Sequence, residues 1–188
     1  MTPQPPPTRR ADAQRNRDKV LEAARTAFAE TDAEVSMAEI ARRAGVGMAT
    51  LYRNFPSRRE LLEALYTEEV DALCAAARTG AGTDAGAELT TWLRRFFAYF
   101  VSKRHIAAEL LEQVDGDDAV FSANRARVLA AGGPLLEAAQ RAGAVRGDLT
   151  LEQVLDLVIA IAKLRGDERH VAPILATALD GLRPPPEA

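Results

Sequence analysis

Between Ser36 and Phe55 the chain reads SMAEIARRAGVGMATLYRNF, and the residue types in its second half suit contact with a nucleic acid. Met48, Ala49 and Thr50 offer a thioether, a methyl and a hydroxyl. The first two can pack on a thymine methyl in the major groove, and the third can hydrogen-bond a base edge. Tyr52, Arg53 and Asn54 follow, with Arg58 and Arg59 just beyond, and all carry donors suited to backbone phosphates. Such phosphate contacts position a protein on a duplex without specifying sequence.

Two short helices joined by a tight turn would hold these residues. Ser36 can cap the first helix while Glu39 reaches back to the cap's own amide, the reciprocal arrangement of a capping box. Met37, Ile40, Ala41 and Ala44 then recur at helical spacing, leaving Glu39, Arg42 and Arg43 on the opposite face. Gly45 stands where a helix needs a residue tolerant of positive φ, Val46 is expected to tuck inward, and Gly47 opens the second helix. A helix so presented fits the major groove, with its first turn at base edges and its N-terminal amides near phosphate. Helix-glycine-helix alone occurs in many all-α proteins, so the neighbouring residues must decide. A helix from Asp12 to Thr31 would turn Val20, Leu21, Ala24, Ala27 and Phe28 toward the hairpin as its floor. Ser57 and Glu60 form a further capping box, opening a long helix through Leu61, Leu62, Leu65 and Leu73 to about Arg78.

The stretch from Arg17 to about Leu73 resembles the DNA-binding domain of TetR-type transcriptional regulators. The resemblance rests on A-x-x-x-F at Ala24 and Phe28, and on A-G-V-x-x-x-T-L-Y-x-x-F from Ala44 to Phe55, followed by Arg58, Leu61 and Leu62. It implies an all-α fold: an N-terminal three-helix helix-turn-helix head, then a C-terminal helical bundle for ligand binding and dimerisation. It further implies that Thr50 lies in the groove, that Tyr52 and Ser36 touch phosphate, and that Arg58 clamps the backbone. Two departures stand out. Asn54 occupies a position where many relatives have histidine, and Gly47 one where serine or threonine is common; glycine is still a tolerable N-cap.

Composition is compatible with that reading. The 188 residues carry a net charge of −3, but residues 1–60 hold eleven Lys or Arg against eight Asp or Glu, while the rest hold thirteen against nineteen. The basic excess therefore sits at the end expected to meet DNA. Seven of the ten prolines lie near the termini, at Pro3, Pro5, Pro6, Pro7, Pro184, Pro185 and Pro186, so residues 1–11 are expected to form a disordered arm and 184–188 a disordered tail. Arg9 and Arg10 on such an arm could reach a minor groove. Between them, residues 12–75 are assigned to the head and 76–183 to the effector-binding and dimerisation domain. The single cysteine, Cys74, cannot form an intramolecular disulfide and fits a reducing compartment. No metal cluster can be drawn from His105, His170 and one thiol, no cofactor is implied, and no apolar run approaches the ~18 residues of a membrane span. With no signal-peptide core, the expectation is a cytoplasmic protein. An enzyme is not supported, because no nucleophile motif, phosphate loop or recognisable catalytic carboxylate pair is present.

The remaining sequence reads as a helical bundle after a linker at Thr79–Gly86. Ala87 to Lys103 gathers Trp92, Phe96, Phe97, Tyr99 and Phe100, half of the ten aromatic residues. The resemblance places a small-molecule pocket among such helices, which makes Trp92, Phe96, Tyr99, Gln113, Phe121 and Asn124 effector-site candidates; ordinary bundle core is the competing reading for each. A short helix at Ile106–Val114 and an acidic loop, Asp115–Asp118, precede a longer helix that Gly132, Gly133 and Pro134 kink or break. Thr150 and Gln153 form a capping box. The run LVIAIA from Leu157 to Ala162 is apolar all round, so that helix must be covered on every side. Val171, Ile174, Leu175, Ala178, Leu179 and Leu182 add a stripe at helical spacing. Two such helices per subunit can build a four-helix dimer interface, with Leu155, Val158, Ile159, Ala162, Ile174, Leu175, Ala178 and Leu179 as candidates. A homodimer would read two half-sites about one helical turn apart, a palindromic operator. Two Arg-Gly-Asp tripeptides, at Arg146 and Arg165, are read as helix punctuation. The overall expectation is a ligand-responsive repressor that binds operator DNA as a homodimer and is released by a small-molecule effector. The alternative is an all-α interaction module whose hairpin no longer binds DNA.

Overall fold

The computed structural model describes residues 9–30, 35–78, 84–102 and 119–184. Expectations that fall elsewhere, including the short helix at Ile106–Val114, the acidic loop and Gln113, lie outside the described residues. Among the described residues every regular element is a helix. They divide into two compact units, with the division inside one helix between Thr67 and Glu68, ahead of the 75/76 boundary expected from sequence.

The first unit contains α1 (Arg9–Glu30), α2 (Met37–Ala44), α3 (Met48–Asn54) and the first half of α4 (Arg58–Arg78). Helix α1 starts earlier than its expected Asp12, so Arg9 and Arg10 belong to a helix rather than to an extended arm. The reason is that proline ends at Pro7 and the residues from Arg9 onward are good helix formers. Asp12 is then a first-turn acid, favourably placed at the positive end of the helix. Val20, Leu21, Ala24, Ala27 and Phe28 are buried as expected, against Val35, Ile40, Ala41, Leu51 and Phe55. Leu61, Leu62 and Leu65 complete this core.

The second unit contains the rest of α4, then α5 (Ala85–Ser102), α6 (Ala119–Arg141), α7 (Leu151–Ala162) and α8 (Glu168–Asp180). Helix α5 begins inside the expected linker. Asp84 caps it by accepting from the Ala87 amide at 3.0 Å, and Gly86 is already helical. A Cβ on Gly86 would stand 2.8 Å from the Ala144 Cβ, so this glycine permits close approach rather than flexibility. Helix α6 runs uninterrupted through Gly132, Gly133 and Pro134, so the break allowed for by sequence does not occur. Gly132 is there because the Trp92 ring occupies the space of its missing side chain: a Cβ would fall 2.4 Å from Trp92 Cη2. Helix α6 ends in a Schellman turn at Gly143 (φ 66°), with Ala144 N donating to Ala139 O and Gly143 N to Gln140 O, each at 3.0 Å. Gln140 then fixes the connection to α7 by donating to the carbonyls of Arg146 (3.1 Å) and Leu149 (3.0 Å). The full capping box of Thr150 and Gln153 starts α7. Both Arg-Gly-Asp tripeptides lie at helix junctions; Arg146 pairs with Asp148, and Asp167 caps α8.

Of the interface candidates on the last two helices, Leu155, Val158, Ala162, Leu175 and Leu179 are already buried within their own chain. Ile159, Ile174 and Ala178 are only half-buried. The helix expected to be covered all round leaves a strip open, with Leu157 43% exposed and Ala160 exposed beside it.

Candidate functional site

The candidate nucleic-acid face is built by a hairpin whose turn is set by hydrogen bonding. Ser36 caps α2 by accepting from the Glu39 amide at 3.2 Å. The reciprocal half of the expected capping box is replaced, because the Glu39 carboxylate is taken by Arg42 (2.7 and 2.8 Å) and Arg43 (2.7 Å) one turn on. Those two guanidinium groups hold Glu39 well below its ordinary carboxylate value, at about 2, with the Arg42 hydrogen bonds the larger cause. Arg43 also reaches Glu30, which ties α2 to α1. Gly45, at φ 66°, closes α2: its amide donates to Arg42 O and the Val46 amide to Ala41 O, the pair of bonds that defines a Schellman motif. Gly47 then serves as N-cap of α3 in extended conformation with no side-chain cap.

From that start α3 turns Leu51 into the core and leaves Met48 (38%) and Tyr52 (45%) among the exposed large apolar residues. Ala49 and Arg53 are exposed with them, and Thr50 and Asn54 are half-buried. The face is therefore apolar at its first turn and cationic at its last. Arg53 lies along the helix, with Nε on Ala49 O and Nη2 on Thr50 Oγ1, each at 3.0 Å. The Thr50 hydroxyl accepts that bond and keeps its own hydrogen to donate. Asn54 spends one amide hydrogen on Thr50 O at 2.8 Å, a local bond that closes the helix.

Two arginines expected or available for phosphate are instead engaged inside the head. Arg58 donates to the Val35 carbonyl and lies 5.6 Å from the Phe28 ring centroid. Arg17 covers the Phe55 ring at 4.5 Å. Each bridges elements through an aromatic face and a backbone carbonyl, as a planar guanidinium can. Arg58 thus has a structural task that its motif position did not reveal. Arg59 pairs with Glu63 at 2.6 Å.

In the second unit the aromatic cluster is mostly core. Trp92 is buried, donates Nε1 to Leu73 O at 3.1 Å, and lies 6.0 Å from Phe96 in a stacked arrangement. Phe96 is buried with it. Asn124 is buried and accepts from Arg127 at 3.0 Å, and Phe121 is half-buried. Trp92, Phe96, Phe121 and Asn124 line neither of two clefts in this unit. Tyr99 does line one, a cleft of about 400 Å³ with Glu69 and Arg95. The other, about 470 Å³, lies between α5 and the α7–α8 connection, with Arg94, Phe97, Val101 and Leu164 in its wall. Sequence reasoning did not single out Val101 or Leu164, because a helical stripe does not show which apolar positions stay uncovered.

Residues 20–65 match the family model "Bacterial regulatory proteins, tetR family", and residues 84–184 match that of the "Transcriptional regulator SbtR-like, C-terminal domain". No curated protein matches the chain. Among solved structures, the TetR transcriptional regulator SCO0520 of Streptomyces coelicolor is 36% identical with a TM-score of 0.73, over 89% of this chain and 98% of that one. A TetR regulator from Mycobacterium vanbaalenii is 37% identical with a TM-score of 0.71, over 93% and 98%. Salmonella enterica GusR, at 22% identity and a TM-score of 0.62 over 89% and 94%, shares the fold. With both parts matched by family models, and with relatives above one-third identity over nearly the whole length, the chain belongs to the TetR family of bacterial transcriptional regulators, which are DNA-binding regulators and not enzymes.

Proposed function

We propose that this regulator is a cytoplasmic repressor that binds a palindromic operator as a homodimer and is released by a small-molecule effector. The observation that carries the DNA-binding part is the outer face of α3, where Met48 and Tyr52 are exposed beside Ala49, Thr50 and Arg53 while Leu51 anchors the helix. Large apolar side chains left open next to a cation suit a groove that presents thymine methyls between phosphates. Met48, Ala49 and Thr50 read bases; Tyr52, Arg53 and the Ser36 end of α2 meet phosphate. Arg53 must leave Ala49 O and Thr50 Oγ1 to do so, and Asn54 keeps one hydrogen to offer. Arg58 supports the face from within.

Dimerisation is supported by the uncovered strip on α7, Leu157 and Ala160, alongside half-buried Ile174 and Ala178 on α8. Release follows as a population shift: the effector favours a state in which the two heads no longer match successive major-groove turns. The coupling is reciprocal, so operator must weaken effector binding by the same factor.

Tyr52→Ala tests the reading, because the ring is exposed and its loss should leave unfolding unchanged. Operator affinity by fluorescence anisotropy should fall at least tenfold at fixed salt. Unchanged affinity would favour an interaction module over a DNA reader.

A further inference from the structure

Helix α3 has seven residues, too few to persist as an isolated helix, so its attitude in the head is set by what holds it from outside. Its start is fixed by the Gly45 turn, and its middle is pinned by Leu51, which is buried. At its end, three carbonyls find donors: Thr50 O takes the Asn54 side-chain amide at 2.8 Å, Leu51 O the Phe55 backbone amide at 2.8 Å, and Asn54 O the Arg17 guanidinium at 3.5 Å. The last of these bonds is long, so the larger part of Arg17's hold is planar: its guanidinium lies over the Phe55 ring, 4.5 Å from the centroid. A cation there also faces the negative end of α3.

Arg17 reaches this place because of where it stands on α1. Val20, Leu21, Ala24 and Phe28 are the buried stripe of that helix, and Arg17 continues it toward the N-terminus at helical spacing. It is half-buried at a position where the pattern calls for another apolar residue. A long side chain from the floor helix, and not from the hairpin itself, thus closes the C-terminal end of α3.

We propose that Arg17 is a positioning residue for base reading: by holding Asn54 and Phe55 it fixes the angle at which α3 presents Met48, Ala49 and Thr50 to the major groove, without itself touching DNA. The inference rests on the reading of α3 as the base-reading helix and adds the residue that aims it. An arginine that bound phosphate would support every sequence alike, whereas one that sets the tilt of α3 supports the operator alone.

Fluorescence anisotropy with the full-length protein tests this on two duplexes, the inverted repeat enriched from genomic DNA and a scrambled duplex of the same length and composition, each over a range of salt. Arg17→Gln should weaken binding to the repeat about tenfold, the scale of one degraded base contact, and leave the scrambled duplex within about twofold. Arg17→Lys should lose nearly as much, because an ammonium keeps the charge but not the planar contact with the ring. Phe55→Leu, which keeps the core apolar and removes the ring, should reproduce the loss, and adding Arg17→Gln to it should cost little more. Thermal melts fix a temperature at which every variant is folded. Equal weakening on both duplexes with the salt slope reduced by about one and rescue by lysine would make Arg17 a phosphate contact and overturn the proposal. Full preference for the repeat in Arg17→Gln would overturn it as well, while leaving α3 as the reader. A wild-type protein that does not distinguish the two duplexes would refute the reading of α3 itself.

Discussion

Adjacent glycines in α6 should respond to alanine with opposite signs. At Gly132 a Cβ would lie 2.4 and 2.7 Å from Trp92 ring carbons and 3.0 Å from Leu151 Cδ2. The ring has little freedom to yield, because it is 2% exposed, bonded through Nε1 to Leu73 O, and stacked against Phe96. Overpacking of this kind costs about 1–3 kcal/mol. Alanine recovers about 0.5–1 kcal/mol of helix propensity, so Gly132→Ala should destabilise by about 1–2 kcal/mol. At Gly133 a Cβ meets nothing within 4 Å, so the same substitution should stabilise by about 0.5–1 kcal/mol. Urea unfolding at one protein concentration, followed by circular dichroism, reads both as shifts of the midpoint with little change in slope. Trp92 is the only tryptophan, so its emission should shift in Gly132→Ala and not in Gly133→Ala. Equal midpoints for the two variants, or a greater loss at Gly133, would refute the placement of Trp92 against α6.

Arg58→Ala should lower head stability by about 1–2 kcal/mol, since it strands the Val35 carbonyl and uncovers Phe28, whereas Tyr52→Ala should not; chemical denaturation of both variants compares them. Gly47→Ser should stabilise α3 by a few tenths of a kcal/mol in the same assay, because the N-cap is extended, the space is open and the hydroxyl can take an orphan amide. Glu39 is held at about 2 against an ordinary 4.5, so its contribution is complete above about pH 4.5 and is lost as pH falls toward 2. Glu39→Gln should therefore flatten the decline of stability in that window, measured by denaturation at successive pH values.

The head was largely legible in the sequence because its signals are local. Gly45 at positive φ, the Ser36 cap, and the spacing of Ile40, Ala41, Leu51 and Phe55 all act within a few residues, and each reappears in the structure. The roles of Arg58 and Arg17 were not legible, since they depend on Phe28, Val35 and Phe55, which only the fold brings near. The same holds for the second unit. Helical periodicity marks Leu155, Val158, Leu175 and Leu179 as apolar faces but does not say whether the chain's own core or a second copy covers them. The packing of Trp92 was not legible either, because the glycine that receives it lies forty residues away on α6.

Selection of bound fragments from genomic DNA at ~150 mM salt, a physiological ionic strength, tests the central claim most directly. A dimeric reader predicts enrichment of a short inverted repeat whose half-sites lie about one helical turn apart, lost when Tyr52 is replaced by alanine. Absence of any enriched sequence, with the purified protein folded and dimeric, would contradict operator recognition by α3.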